Sequence, residues 1–500
     1  MILIRDVLVV DGTGKAPYKA DVLLRRDRIS AIGRFPKMSA DLTIDGSGGY
    51  ITPGFIDVNT DSDHYLTLFT NPEQEDFLLQ GATTIVGGHC GSSLAPLLYG
   101  SLESIRKWTD PNQINVDWHT VKEFLAALQS RRLGVNFLTL AGHSTVRRAL
   151  IGEEMRDLTE GELAVFTRII EDAIKDGVFG ISTGLAYAHA RLAPYSEIKR
   201  LVGVSKKNGG VYATHLRNET NGLLESINET LALAKETGIT TIISHLRPIR
   251  GFENQFGEAI EKIEGARKRG IKIYFDSYPF DTSFLPIYTL LPEWLKRGNL
   301  ETMCESIKNT NISERILKEL PPLSSDSIVV AQAPEADFLV GKTLGAFAEN
   351  QNLDLNRALL KLMDATRLRA TVFYRNINMD LAIESLRSPA ALIASNGVSF
   401  PPGSAHLRHE RLWNTFPRFL EIVLGSRLMT LETAIQKITS TPASIFGLEG
   451  RGVIREGNIA DLTLVKSGIP SHVFVNGALT VSEGVSNQSL SGTIIRKTVS

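Results

Sequence analysis

The sequence predicts an α/β protein: a (β/α)8 barrel of the TIM type that carries a small β-sandwich built from both ends of the chain. Three observations point there. Short β-branched apolar runs alternate with helical stretches through the middle of the chain, eight such runs can be counted, and the two ends share a strand-only texture.

At the start, 2–10, 20–24 and 29–32 have hairpin lengths, with a polar Arg25-Arg26-Asp27-Arg28 corner. The runs 457–465 and 471–477 read alike. Fifty strand residues alone make a poor core. The ends are therefore expected to form one domain, 1–50 with 445–500, around a body inserted at 51–444.

Within that body, Thr159 with Glu162 reads as a capping box, and Leu163, Phe166, Ile169, Ile170, Ala173 and Ile174 form a helical stripe that stops at Gly177. A strand follows at 178–182, and the rhythm repeats with Leu223, Leu224, Ile227, Leu231 and Ala234, then Gly238 and a strand at 239–244. The eight expected barrel strands are 55–58, 83–87, 135–141, 178–182, 210–214, 240–244, 273–275 and 391–394. Just past them stand Asn59, Asp61, His89, Cys90, His143, Thr183, His215, His245, Asp276 and Asn396, polar or ligand-type side chains where a barrel places its chemistry. The seventh and eighth strands lie too far apart for a simple connection. A small α/β insertion is expected at about 285–350, with Trp294, Met303, Ile307, Ile316, Leu317 and the pair Pro321-Pro322, and with Cys304 in a packing role.

Composition narrows the function. With 54 Lys and Arg against 55 Asp and Glu, the net charge of −1 favours neither nucleic acid nor an anionic membrane. Two cysteines make no disulfide framework, no signal peptide opens the chain, and no apolar window spans a membrane, so a cytoplasmic protein is expected.

Cys90, His215 and His245 follow strands two, five and six, and one thiolate with two imidazoles suits zinc. A single strand-end histidine is more often merely hydrogen-bonded. Three ligand types at one barrel mouth favour a metal with an open position for water.

The motifs Tyr50-Ile-Thr-Pro-Gly-Phe-Ile-Asp57, Gly81 to Pro96 around His89-Cys90, Gly142-His143, Gly180-Ile-Ser-Thr-Gly-Leu-Ala-Tyr187, Thr214-His215-Leu-Arg217, Ser244-His245-Leu-Arg247, Asp276-Ser-Tyr278-Pro279 and His409-Glu-Arg411 together resemble the N-acyl-D-amino-acid deacylase branch of the amidohydrolase superfamily. The resemblance spans nearly the whole chain and is weakest between about 285 and 385. It implies a barrel of the metal-dependent amidohydrolase type and zinc on the positions of Cys90, His215 and His245. It also implies hydrolysis of the linear amide of an N-acyl-D-amino acid, a small-molecule partner, by a protein that is free to form a homo-oligomer. Tyr278, His143 and Arg411 fall at positions expected to bind substrate, and Arg247 stands where a lysine is common, suited to a substrate carboxylate or to an ion pair in the rim. Cyclic-amide hydrolysis is the sister reading, disfavoured by a cysteine in place of a bridging lysine.

Two departures matter. Where the family ends its first strand in His-x-His, this chain has Asn59-Thr60-Asp61, followed by Ser62-Asp63-His64, so one zinc ion is expected and a second site weak or absent. Where the family has Ser-Asp-Gly, with the aspartate moving the proton, this chain has Ser395-Asn396-Gly397. Three explanations follow: Asp61 or Asp63 has taken over the proton transfer, the protein binds metal and ligand without efficient hydrolysis, or Asn396 deamidates.

Overall fold

The computed structural model describes the 500-residue chain except residues 100, 101, 107, 188, 297, 298, 322, 402, 405, 499 and 500. Pro322 of the Pro321-Pro322 pair thus lies outside the described residues.

Strands from both chain ends share one nine-stranded sheet. Its seam joins Gly49–Pro53 to Leu462–Lys466, antiparallel, with Ile51 opposite Leu464. Alternation along these strands turns Ile4, Val9, Val22, Ile51, Leu462, Leu464 and Phe474 into a common core, a burial that neither end supplies alone.

The barrel strands are Phe55–Asp57, Ala82–Gly87, Asn136–Thr139 with its continuation Ala141–Gly142, Gly180–Gly184, Val211–His215, Thr240–Ile243, Ile273–Ser277 and Ala391–Ile393. Every paired neighbour runs parallel. The third strand breaks at Leu140, whose N–H reaches the Gly87 carbonyl. Closure between the first and eighth strands comes from a parallel bridge of Thr60 to Gly397 and from the Asp57 carboxylate, which accepts the N–H and hydroxyl of Ser395. Ile56, Val58, Val86, Leu138, Ala213, Ile242 and Leu392 fill the inside, and Phe446 packs with them.

The helix Glu160–Asp176 shows why the outer layer forms. Thr159 and Glu162 make a reciprocal capping box, Leu163, Phe166, Ile170, Ala173 and Ile174 are buried, and Gly177 ends the helix at φ 123°. Only a residue without Cβ adopts that angle cheaply.

Between the seventh and eighth barrel strands an antiparallel sheet of Ser283–Pro286, Thr371–Tyr374 and Ile328–Gln332 packs with the helices Leu300–Lys308, Thr310–Glu319, Leu344–Gln351 and Leu355–Ala365. This excursion is longer than 285–350, because its central strand returns at Thr371–Tyr374. That strand has four residues and no flanking turn signal, so its sequence gives little notice of it. Cys304 lies half-buried against the main core. At the other end, Gly492 bridges to Leu133 and Ile494 to Phe137, so the last described residues leave the sandwich and run along the barrel base. Among the described residues no helix is long and apolar enough to cross a membrane.

Candidate metal centre

Cys90, His215 and His245 converge, with one donor atom from each lying within 4.8 Å of the others. Cys90 Sγ is 3.8 Å from Nδ1 of His215 and 3.6 Å from Nε2 of His245. A tetrahedral zinc with bonds of about 2.3 Å to sulfur and about 2.0 Å to nitrogen separates those donors by roughly 3.6 Å. The donor set therefore fits zinc in chemistry and in spacing.

Local backbone produces this convergence. Cys90, His245 and Asn396 have φ values of 53°, 39° and 44°, so three strand ends pass through the left-handed region. Non-glycine residues rarely enter it, and such strain gathers at functional sites. A fixed hydrogen bond holds His245 there, its N–H donating to Asp276 at 2.8 Å. Cys90 packs on Gly184, where a Cβ would lie 2.1 Å from the Cys90 carbonyl oxygen.

Glu219 then binds the outer side of both imidazoles. Its carboxylate lies 3.2 Å from His245 Nδ1 and 3.7 Å from His215 Nε2, and accepts from Arg247 at 2.6 Å. Burial would raise the Glu219 carboxyl, but the charge of Arg247, then those of the histidines, outweigh it and hold it well below the usual range. Glu219 is absent from the sequence-derived site. It lies four residues past His215 in a loop, with no periodicity to mark it.

Arg247 is thus engaged within the rim, by Glu219 and by the Tyr278 hydroxyl at 3.4 Å. Arg411 differs. It is buried, its Nε and Nη1 have no hydrogen-bond partner among the described residues, and its guanidinium lies 5.2 Å from the Tyr278 ring centre and 5.5 Å from that of Phe284. It lines a pocket with Asp61, Asn396, Tyr65, Phe373 and Phe400. None of the three metal-type side chains lines that cavity. Tyr187 connects the two regions: its ring packs 4.8 Å from that of His215, and burial followed by the charges of Cys90, Tyr288, Asp61 and Glu219 raises its hydroxyl.

His143 is turned elsewhere. Its Nε2 meets Glu197 at 2.7 Å and its ring stacks on Phe166, in the helix layer. The expectation that it binds substrate is corrected accordingly: a strand-end position was followed at once by a helix, Val146 and Arg147 included, which carried the ring outward.

The altered strand ends are fully built. Asn59 donates its amide N–H to Asp276 at 3.2 Å, while its buried Oδ1 has no hydrogen-bond partner among the described residues. Asp61 accepts from His64 Nδ1 at 2.9 Å, and His64 Nε2 faces the Ser92 carbonyl at 3.1 Å. Asp63 accepts the Gly88 N–H at 2.6 Å. Burial alone would push His64 down, but the charge of Asp63, the hydrogen bond and charge of Asp61 and the Ser92 carbonyl hold it at about 9. Trp108 stacks on it at 6.0 Å. Beside Cys90, the buried His89 is pushed down to about 3 by desolvation and then by the charge of His64, so its imidazole is neutral.

A barrel with this mouth and this terminal sheet defines a class, and residues 50–480 match the Amidohydrolase family. The chain belongs to that family. It is 29% identical to a D-aminoacylase of Alcaligenes xylosoxydans xylosoxydans, over 99% of this chain and 98% of that one. It is 28% identical to an N-acyl-D-aspartate deacylase of the same organism, over 97% and 89%. Among solved structures, an N-acyl-D-glutamate deacylase from Bordetella bronchiseptica, complexed with zinc and a phosphonate mimic of the tetrahedral intermediate, superposes with a TM-score of 0.82 at 27% identity, covering 99% of both chains. Within the family the chain falls in the D-aminoacylase branch, and it is a hydrolase of the amidohydrolase type.

Proposed function

We propose that the protein hydrolyses the linear amide of an N-acyl-D-amino acid with one zinc ion held by Cys90, His215 and His245. The observation that carries this is the convergence of one sulfur and two imidazole nitrogens at edges of 3.6 and 3.8 Å. When bound, zinc would acidify water and polarise the amide carbonyl.

The rest falls to the chain. Arg411, a buried cation with two unpartnered nitrogens, suits the α-carboxylate, and Tyr278 beneath it supports the plane of the guanidinium. Tyr65, Phe284, Phe373, Phe400 and Leu412 offer apolar walls that exclude water and receive an apolar side chain or acyl group. Arg247, neutralised by Glu219, serves the metal side of the rim. At the first strand Asn59 and Asp61 offer only oxygen donors where two imidazoles would be needed, a poorer set for a second zinc ion.

A second reading, a protein that binds metal and ligand without efficient hydrolysis, is favoured by Asn396 alone. Metal analysis of the purified protein with a panel of N-acyl-D-amino acids separates the two. Turnover with about one zinc per chain supports the first, and zinc without turnover supports the second. Absence of zinc, or zinc that survives Cys90→Ala, overturns the ligand assignment.

A further inference from the structure

Asn396 cannot take and return a proton at neutral pH, yet the structure holds a carboxylate beside it. The Asp61 N–H donates to the Gly397 carbonyl at 2.7 Å, so the ends of the first and eighth strands lie against each other. Asp61 and Asn396 line the same cavity as Arg411.

Two further features make Asp61 a prepared group. Its Oδ1 is fixed by His64 Nδ1 at 2.9 Å, while no hydrogen bond among the described residues engages its Oδ2. Both ring nitrogens of His64 face acceptors, Asp61 and the Ser92 carbonyl, so both carry hydrogen and the ring is a fixed cation. That cation orients its neighbour, as second partners commonly do for an acid or base. Asp63 is set apart by position: its Oδ2 accepts the Gly88 N–H, its other oxygen is buried, and it does not line the cavity.

We propose that Asp61 is the proton-transfer group of this site, held in place by His64 and occupying the first strand end instead of the eighth. The assignment rests on the amide-hydrolase reading above. As the water oxygen bonds to the amide carbon, Asp61 takes one of its protons. As the C–N bond breaks, Asp61 delivers that proton to the nitrogen, which leaves as the amine, and the acyl carbon leaves as a carboxylic acid carrying the other. Asp61 ends as the carboxylate it began as, and one water is consumed.

The test compares zinc-loaded wild type, Asp61→Asn, and the double variant Asp61→Asn/Asn396→Asp. Turnover is one readout. The other is proton uptake on binding an N-phosphonyl analogue of a D-amino acid, measured by calorimetry in two buffers of different ionisation enthalpy. Asp61→Asn is expected to fold and keep its zinc, with a lowered melting temperature because the buried His64 cation loses a charged partner, to lose about 10²- to 10⁴-fold in kcat, and to lose the proton uptake that wild type shows. The double variant is expected to regain much of the rate, the carboxylate having returned to the eighth strand. Unchanged kcat or unchanged proton uptake in Asp61→Asn overturns the assignment, as does loss of zinc, which would make Asp61 a ligand. A wild type that holds no zinc or binds no analogue overturns the amide-hydrolase reading first, and this assignment with it.

Discussion

Glu219 stands 3.2 Å from Nδ1 of His245, on the side of the ring opposite Cys90. The same carboxylate approaches His215 from its Nε2 edge, so one acid sets the orientation of two imidazoles that present opposite nitrogens to the centre. Partners of this kind fix the tautomer and raise ligand basicity. Glu219→Gln is expected to weaken zinc binding about 10- to 100-fold, read by competition with a chelator, and Glu219→Asp to recover part of it. Unchanged affinity in Glu219→Gln would remove this role.

The two arginines of the mouth should separate kinetically. Arg411→Met is expected to raise KM about 100-fold, because a charge-assisted contact to a carboxylate is lost, while zinc stays bound. Arg247→Met leaves Glu219 without its counter-ion and should lower zinc affinity instead. Equal effects of both on KM would count against the division.

Gly184 tests the packing under the centre. A Cβ there would lie 2.1 Å from the Cys90 carbonyl oxygen and 2.7 Å from the Tyr187 ring, so Gly184→Ala must displace the loop that carries the sulfur. The variant should fold with reduced zinc content, measurable by metal analysis against circular dichroism. Full zinc occupancy in Gly184→Ala would show that the loop yields freely.

His64 predicts the direction of a stability profile. Its folded value of about 9 exceeds the ordinary 6.5, so the cation stabilises the fold fully below about pH 6.5, and that contribution fades as pH rises through about 9. The contribution is on the order of 3 kcal/mol at most. Denaturant unfolding from pH 6 to 10 should show wild type losing more stability than His64→Gln, and parallel profiles would contradict the charge.

Deamidation of Asn396 is disfavoured by geometry. The reaction needs the Gly397 nitrogen to attack the side-chain amide, but that N–H donates to Ser395 Oγ at 3.0 Å. Peptide mass analysis should find Asn396 unmodified, and an added mass of about one dalton in active protein would reverse this conclusion.

What could be read in advance follows from periodicity. The capping box at Thr159 and Glu162 was legible because its parts are local, and so were the strand ends that carry Cys90, His215 and His245. Glu219, Trp108 and Phe284 were not, because each lies in a loop or inserted strand whose position depends on packing across the mouth. The same limit explains His143, where a strand end gave the right place along the chain and the wrong side of the barrel wall.

The bridged segment 492–494 along the barrel base has a kinetic consequence. Its partners, Leu133 and Phe137, emerge from the ribosome some 360 residues earlier, since 492 less 133 is 359 and 494 less 137 is 357. Contacts of such separation form late and slow folding. During synthesis the third barrel strand therefore waits with part of its edge unsatisfied, and the protein passes a long interval in which that edge is the place where a chaperone, or another nascent chain, meets it first.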